Sequence, residues 1–361
     1  MEASIAPAGA REKTKGRGRW GILAPRVGTR GYHQTPSRRD PFGASGLPEN
    51  LAISESAARL VTAARGTYNE ARRPSERSMP QRVTIGAVRF LNAAPLVHGL
   101  AERADVALRL EDPSALAPLL LAGDVDAALM PAIEYFRLSA EAQERVRPRK
   151  SDAGSLEPFV VLPVAAIGSA GPIGSIRLFG YAPMAKVRRV LLDPASRSSN
   201  AMTRILFARR FGGRPHFAFP HAVGPDPARK PDAELLIGDR GLVAERPEAE
   251  WVLDLGLEWN RFVHRPFVYA VWVARADARV ARLSELLAGA RDAGLEARED
   301  IAARAEAERG IPADVARRHL ESQVKYAFGR KEREGLLLFY RMAAEEGLAP
   351  PGVRLRFPEG T

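Results

Sequence analysis

Residues 83–130 read VTIGAVRFLNAAPLVHGLAERADVALRLEDPSALAPLLLAGDVDAALM, and the succession of patterns in that stretch decides the fold. Val83–Val88 alternates apolar residues with the period of a half-buried strand. Pro95, with its fixed φ, suits the first turn of a helix running on to Glu102. Residues 105–110 read as the next strand. Asp112 can cap a second helix that has Pro113 at its first position and Gly123 at its end, and residues 126–130 form a short buried strand. Strand, helix, strand, helix, strand is the order of an α/β protein.

The pattern continues outward from there. Further strands are expected at residues 159–167, 176–180, 187–192, 234–237, 251–255 and 267–274, with a helix at 199–211 and an almost wholly helical end after Arg279. Toward the amino terminus it stops. Residues 1–80 are rich in Gly, Pro, Ser and Arg and carry no period of 2 or 3.6, which predicts a disordered tail. Only residues 51–64 could form a short, marginal helix. The tail lacks the apolar core of a secretory signal; it reads as spacer, as a transit peptide or as upstream sequence ahead of a start at Met79.

The net charge of +11 would suggest a nucleic-acid partner if it were spread over the chain. It is not: the tail holds 14 Lys and Arg against 7 Asp and Glu, and the remainder 40 against 36. No nucleic-acid partner is expected. No apolar run approaches a membrane-spanning length, so no membrane partner is expected either. The chain has no cysteine, which removes disulfides, thiolate catalysis and cysteine-ligated metals. Its six histidines follow no metal-binding spacing, so no metal is expected. Gly16, Gly18 and Gly21 have dinucleotide-loop spacing but follow no strand. Neither a phosphate loop nor a Gly-x-Ser-x-Gly elbow is present.

Four polar segments remain, each at a strand end, where open α/β sheets bind ligands. In the first, Asn92 either offers an amide to a substrate or ties its own turn; Arg89 stands just before it. The second, residues 168–175, contains Ser169 and Ser175 among small residues that either let a ligand approach the backbone or simply make a hairpin. The third, residues 192–199, ends in Ser196, Arg197, Ser198 and Ser199, a hydroxyl-rich helix start suited to a carboxylate. The fourth holds Asp239, either functional or a simple helix cap.

Six segments in order resemble the chorismate dehydratases of the futalosine route to menaquinone. Those proteins carry an IGAVSFLN-like start followed by a basic residue and Pro-Leu. A DVALVPSIEY-like strand and loop, an SRGPVRSVLLF-like hinge, LDxxSRTSxALxRILL, LIGDRAL and DLGxxWxxxTGLPFVFAVW follow. The counterparts here are IGAVRFLNAAPL from Ile85, DAALMPAIEY from Asp126, SAGPIGSIRLF from Ser169, LDPASRSSNAMTRILF from Leu192, LIGDRGL from Leu236 and DLGLEWNRFVHRPFVYAVW from Asp254. The match covers residues 82 to about 345. Departures are Arg89 and Ala132 for serines, Ala94 for a basic residue, and His264-Arg265 for a Gly-Leu-like pair.

The resemblance implies a two-lobed type II periplasmic-binding-protein-like fold. Its first lobe is expected at 81–165 and 267–347, its second at 166–266, and a short tail at 348–361. It implies a cytoplasmic lyase, a hydro-lyase that converts chorismate to 3-[(1-carboxyvinyl)oxy]benzoate, without a cofactor. The expected catalytic residues are Asn92, Ser169, Ser175 and Asp239, and the expected substrate-binding residues are Arg89, Ser196, Arg197, Ser198, Ser199 and Glu134. Glu134 and Asp239 are the candidate protein bases, and the substrate's own enolpyruvyl carboxylate is the alternative. Two other functions share the fold: a substrate-binding protein of a transporter, and the sister enzyme acting on cyclic dehypoxanthinyl futalosine. Oligomeric state is not legible in the sequence.

Overall fold

The structure, a computed structural model, describes residues 82–145, 159–220, 230–277 and 279–359. The tail expected at residues 1–80 lies outside them. The first four strands are β1 (Val83–Val88), β2 (Val106–Glu111), β3 (Ala127–Pro131) and β4 (Phe159–Ser169). They are followed by β5 (Ile176–Gly180), β6 (Arg189–Leu191), β7 (His216–Ala218), β8 (Ala233–Ile237) and β9 (Trp251–Asp254), and last by β10 (Phe267–Arg275).

These strands make two five-stranded sheets on one plan. In the first, β1 lies parallel to β2 and β3, while β10 runs antiparallel between β3 and β4, giving the order β2-β1-β3-β10-β4. In the second, β6 lies parallel to β7 and β8, and β5 runs antiparallel between β8 and β9, giving β7-β6-β8-β5-β9. Each sheet is the centre of a lobe. The chain leaves the first sheet through residues 170–175 and returns to it through β10, so two crossings join the lobes.

The helices are α1 (Pro113–Ala122), α2 (Ala132–Arg145), α3 (Arg197–Leu206), α4 (Gly238–Val243), α5 (Leu255–Val263), α6 (Val280–Glu296), α7 (Arg298–Arg309), α8 (Ala313–Arg318) and α9 (Arg330–Glu345). Strand β10 explains why the first sheet needs the carboxyl-terminal helices. Its first eight residues are all buried, as expected of a strand covered on both faces. Phe339 of α9 packs 4.7 Å from the ring of Phe267, which in turn meets Trp259 of α5 at 5.0 Å.

Three local expectations are corrected. The helix expected from Pro95 to Glu102 is a 3₁₀ turn spanning Leu91–Leu96 with Pro95 inside it. Gly99 at φ 72 breaks any continuation, and the backbone closes by three-residue steps such as Val97 N to Ala94 O. Asp112 occupies the N-cap position of α1, but its side chain makes no capping bond and pairs instead with Arg89 at 3.5 Å. The helix expected over 199–211 starts earlier, at Arg197, and after Leu206 widens into a π turn over Phe207–Phe211.

One departure from the resembled motif now has a physical setting. His264 is the C-cap of α5 at φ 52, the one left-handed non-glycine residue among those described. That is a conformation glycine adopts freely and a β-carbon disfavours.

Candidate active site

A small cavity of about 40 Å³ lies between the lobes. Its walls come from the carboxyl ends of parallel strands in both sheets and from the amino ends of the antiparallel β5 and β10. Val88 and Pro131 end β1 and β3, and Ile237 ends β8. Asn92, Ser175, Ser196 and Ser199 also face it. Four residues that a sequence reading separates by up to 107 positions therefore meet at one place.

The helix start at α3 has the chemistry of an anion cradle. Ser196 is the N-cap in an extended conformation, and its Oγ accepts from Ser199 N at 3.2 Å while donating to Ser199 Oγ at 2.9 Å. The amides of Arg197 and Ser198, in the first turn, have no intrahelical acceptor by helix geometry and add to the positive end of the helix dipole. Ser198 Oγ is turned the other way, accepting from Ile133 N at 3.2 Å, which joins α3 to α2.

Two buried or half-buried carboxylates hold the loops around this cradle. Asp193 accepts from Ala195 N at 2.9 Å, from Ile237 N at 3.2 Å and from Arg240 Nη2 at 2.7 Å. It thereby fixes the cradle relative to the end of β8. Asp254 caps α5 through Leu257 N at 3.0 Å and also takes the amides of Ile173 and Gly174, the latter at 2.6 Å. That bond set pins the crossing that carries Ser175.

Of the buried side-chain polar atoms without a hydrogen-bond partner among the described residues, two belong to residues that line the cavity, Asn92 Oδ1 and Ser175 Oγ; others, such as Ser139 Oγ and Asn200 Oδ1, lie elsewhere. An unpaired buried polar atom is costly, about 1–3 kcal/mol. A polar ligand atom in the cavity would satisfy these two.

The remaining expected residues lie elsewhere. Ser169 is buried behind the cavity wall, its Oγ 3.0 Å from the hydroxyl of Tyr269. Tyr269 itself lines the cavity, and burial pushes its phenol well up, so it stays protonated. Arg197 points outward to Glu134 at 2.9 Å, and Glu134 is also held by Arg137 at 2.7 Å. Both Arg197 and Glu134 line a separate hollow beside α1. Arg89 is exposed against Asp112. Asp239 accepts from Leu91 N at 2.8 Å and from Arg309 Nη1 at 2.9 Å.

Sequence reasoning missed Tyr269, Asp193, Asp254 and Arg309. The first three stand inside quoted segments and could have been singled out as polar residues at strand ends. Arg309 has no local signal at all. Among the described residues that line the cavity there is no carboxylate, histidine or lysine, and none of the described helices is long and apolar enough to cross a membrane.

Comparison with known proteins gives this geometry a context. Residues 83–143 and 154–345 match a family described as menaquinone biosynthesis. A chorismate dehydratase of Thermus thermophilus is 28% identical over 292 residues, which is 76% of this chain and 98% of that protein. Among solved structures, a protein of Archaeoglobus fulgidus superposes with a TM-score of 0.56 at 15% identity, covering 74% of this chain and 98% of that one. The periplasmic aliphatic sulphonate binding protein of Escherichia coli gives 0.51 at 17%, covering 78% and 95%. These two likenesses establish the fold, a periplasmic-binding-protein fold.

Proposed function

We propose, from the premise that this chain belongs to the menaquinone-biosynthesis family, that it is a chorismate dehydratase, a hydro-lyase forming 3-[(1-carboxyvinyl)oxy]benzoate and water. The observation that carries the reading is the pairing of an anion cradle at α3 with two unpartnered oxygens, Asn92 Oδ1 and Ser175 Oγ, across one cavity. Chorismate is a dicarboxylate with a ring hydroxyl, so it needs both kinds of contact.

The chemistry follows from the substrate. Loss of the ring hydroxyl, together with the hydrogen on the neighbouring ether carbon, makes the ring aromatic. The product is therefore strongly favoured, and only the barrier needs lowering. As the proton leaves, charge spreads to the ring carboxylate. Donors fixed around that carboxylate stabilise the transition state more than the ground state. In this reading the Arg197 and Ser198 amides with the Ser199 hydroxyl, oriented by Ser196, supply them. Asn92 and Ser175 hold the leaving hydroxyl and the enolpyruvyl arm.

The base is then the arm's own carboxylate. Glu134 faces away from the cavity in a pair of ion bonds, and Asp239 has both oxygens engaged by donors. Tyr269 is held protonated by burial. A tethered carboxylate has a high effective concentration once its conformer is fixed.

The test is to incubate the purified chain with chorismate and follow product by chromatography and mass against an enzyme-free control. Turnover above that control is the expected result. Tight binding without turnover would replace the reading with a small-anion binding protein, and turnover of cyclic dehypoxanthinyl futalosine alone would assign the sister reaction.

A further inference from the structure

We propose that Asp239 and Arg309 form a latch between the lobes that positions Asn92 for the reaction, an inference that rests on the dehydratase reading above. The Arg89–Asn92 loop follows β1 in the first lobe, and Asp239 begins α4 in the second. Three contacts join them. Asp239 Oδ1 accepts from Leu91 N at 2.8 Å, across 148 residues of chain. Arg309, at the end of α7, uses one nitrogen to donate both to Arg89 O at 2.7 Å and to Asp239 Oδ2 at 2.9 Å. The Phe90 ring lies on Gly238 so closely that a β-carbon there would come within 2.7 Å of it, and Gly238 at φ 63 has the conformation as well as the space that excludes one.

The backbone on both sides of Phe90 is thus held, at Arg89 O and at Leu91 N, immediately before Asn92. Leu91 N belongs to the first turn of a 3₁₀ helix and has no partner within it; the second lobe supplies its acceptor. That bond exists only while the lobes are closed on each other. Closing them therefore places the Asn92 amide, whose Oδ1 is the unpartnered atom at the cavity, and opening them releases it. Asp239 is a positioning residue: with an amide on one oxygen and a guanidinium on the other, it acts through the Asn92 loop rather than on the substrate.

The experiment is a double-mutant cycle on the full chain with chorismate as the probe. Asp239→Ala and Arg309→Met are each expected to lower kcat about 30- to 100-fold, with KM changing less than about threefold, because a small misplacement of a reacting group costs about that much. Asp239→Asn, which keeps an acceptor for Leu91 N, is expected to recover at least half of the loss on a logarithmic scale. In an Asn92→Ala background, Asp239→Ala is expected to cost less than about threefold more, since the group it places is gone. Amide exchange of the segment 89–96, read without substrate, is expected to rise in Asp239→Ala and Arg309→Met alike. Full additivity with Asn92→Ala, or unchanged exchange in this segment, overturns the latch. Absence of turnover by the unmutated chain overturns the dehydratase reading instead, and the exchange measurement still decides the latch. If Asp239→Ala does not fold, Arg309→Met and Asp239→Asn carry the same cycle.

Discussion

Replacing Ser175 by alanine sets stability against activity in a way few substitutions do. Ser175 is 1% exposed, and its Oγ has no hydrogen-bond partner. Its backbone is independently secured, because Asp254 holds the amides of Ile173 and Gly174 just before it. Removing the hydroxyl therefore breaks no bond of the folded chain. It relieves the desolvation of an unpaired hydroxyl, a gain of about 1–3 kcal/mol, offset by about 0.5–1 kcal/mol for the lost packing of one atom. The net expectation is a gain of roughly 0–2.5 kcal/mol. For a chain of this size, 1 kcal/mol moves the melting temperature by roughly 2–4 °C. Activity should move the other way: a donor aimed at developing charge or a leaving group is worth about 10²–10³ in kcat. The assay pairs thermal unfolding with chorismate turnover on the same preparation. A melting temperature several degrees lower, with kcat within threefold of the parent, would refute the reasoning, since it would mean that the hydroxyl holds the fold together and does nothing in the cavity.

Other outcomes follow from the placement of charged groups. Arg197→Ala should change kcat less than about threefold and cost about 1 kcal/mol or less of stability, because Glu134 keeps Arg137 at 2.7 Å; a hundredfold loss of kcat would put the guanidinium on the substrate. His319 is buried, and burial holds its pKa below the usual value despite Gln323 and the Ile173 backbone. On acidification the unfolded chain then takes up this proton first, near pH 6.5, so stability falls below that pH by up to about 1.4 kcal/mol per unit until the folded group titrates. In His319→Gln that part of the pH slope should vanish, and an unchanged slope would assign it elsewhere. A chain beginning at Met79 should fold and turn over chorismate like the full chain, as checked by circular dichroism and kcat; loss of folding would give the tail a role.

Much of this protein was legible from local pattern. Alternation at Val83–Val88, Pro113 at a helix start and Gly123 at its end need only neighbouring residues, and those are set by steric and hydrogen-bonding rules that act within a turn. The 3₁₀ turn at Leu91–Leu96 was not legible, because Pro95 is compatible with either helix and the choice is made by Gly99 and by an acceptor from the other lobe. The serines of the α3 start show the boundary within one motif. Ser196 and Ser199, three residues apart, share a helix face and meet the cavity, as their spacing allows. Arg197 and Ser198 are turned by about 100° and 200° from Ser196, so they leave that face. Whether an outward arginine finds substrate or a carboxylate is decided by what stands there, and Glu134 stands there.

The sequence by itself determined the alternation of strands with helices, the order of the six segments and, through their resemblance, the fold. Only the tertiary structure decided that Tyr269 closes the cavity wall in front of Ser169, that Asp193 and Asp254 anchor the loops beside the cavity, and that Arg309 reaches Asp239 across 70 residues. The reason is range. Backbone conformation is fixed by neighbours along the chain, whereas a side chain's partner is fixed by which distant surfaces the burial of apolar area brings together, and no period in the sequence records that pairing.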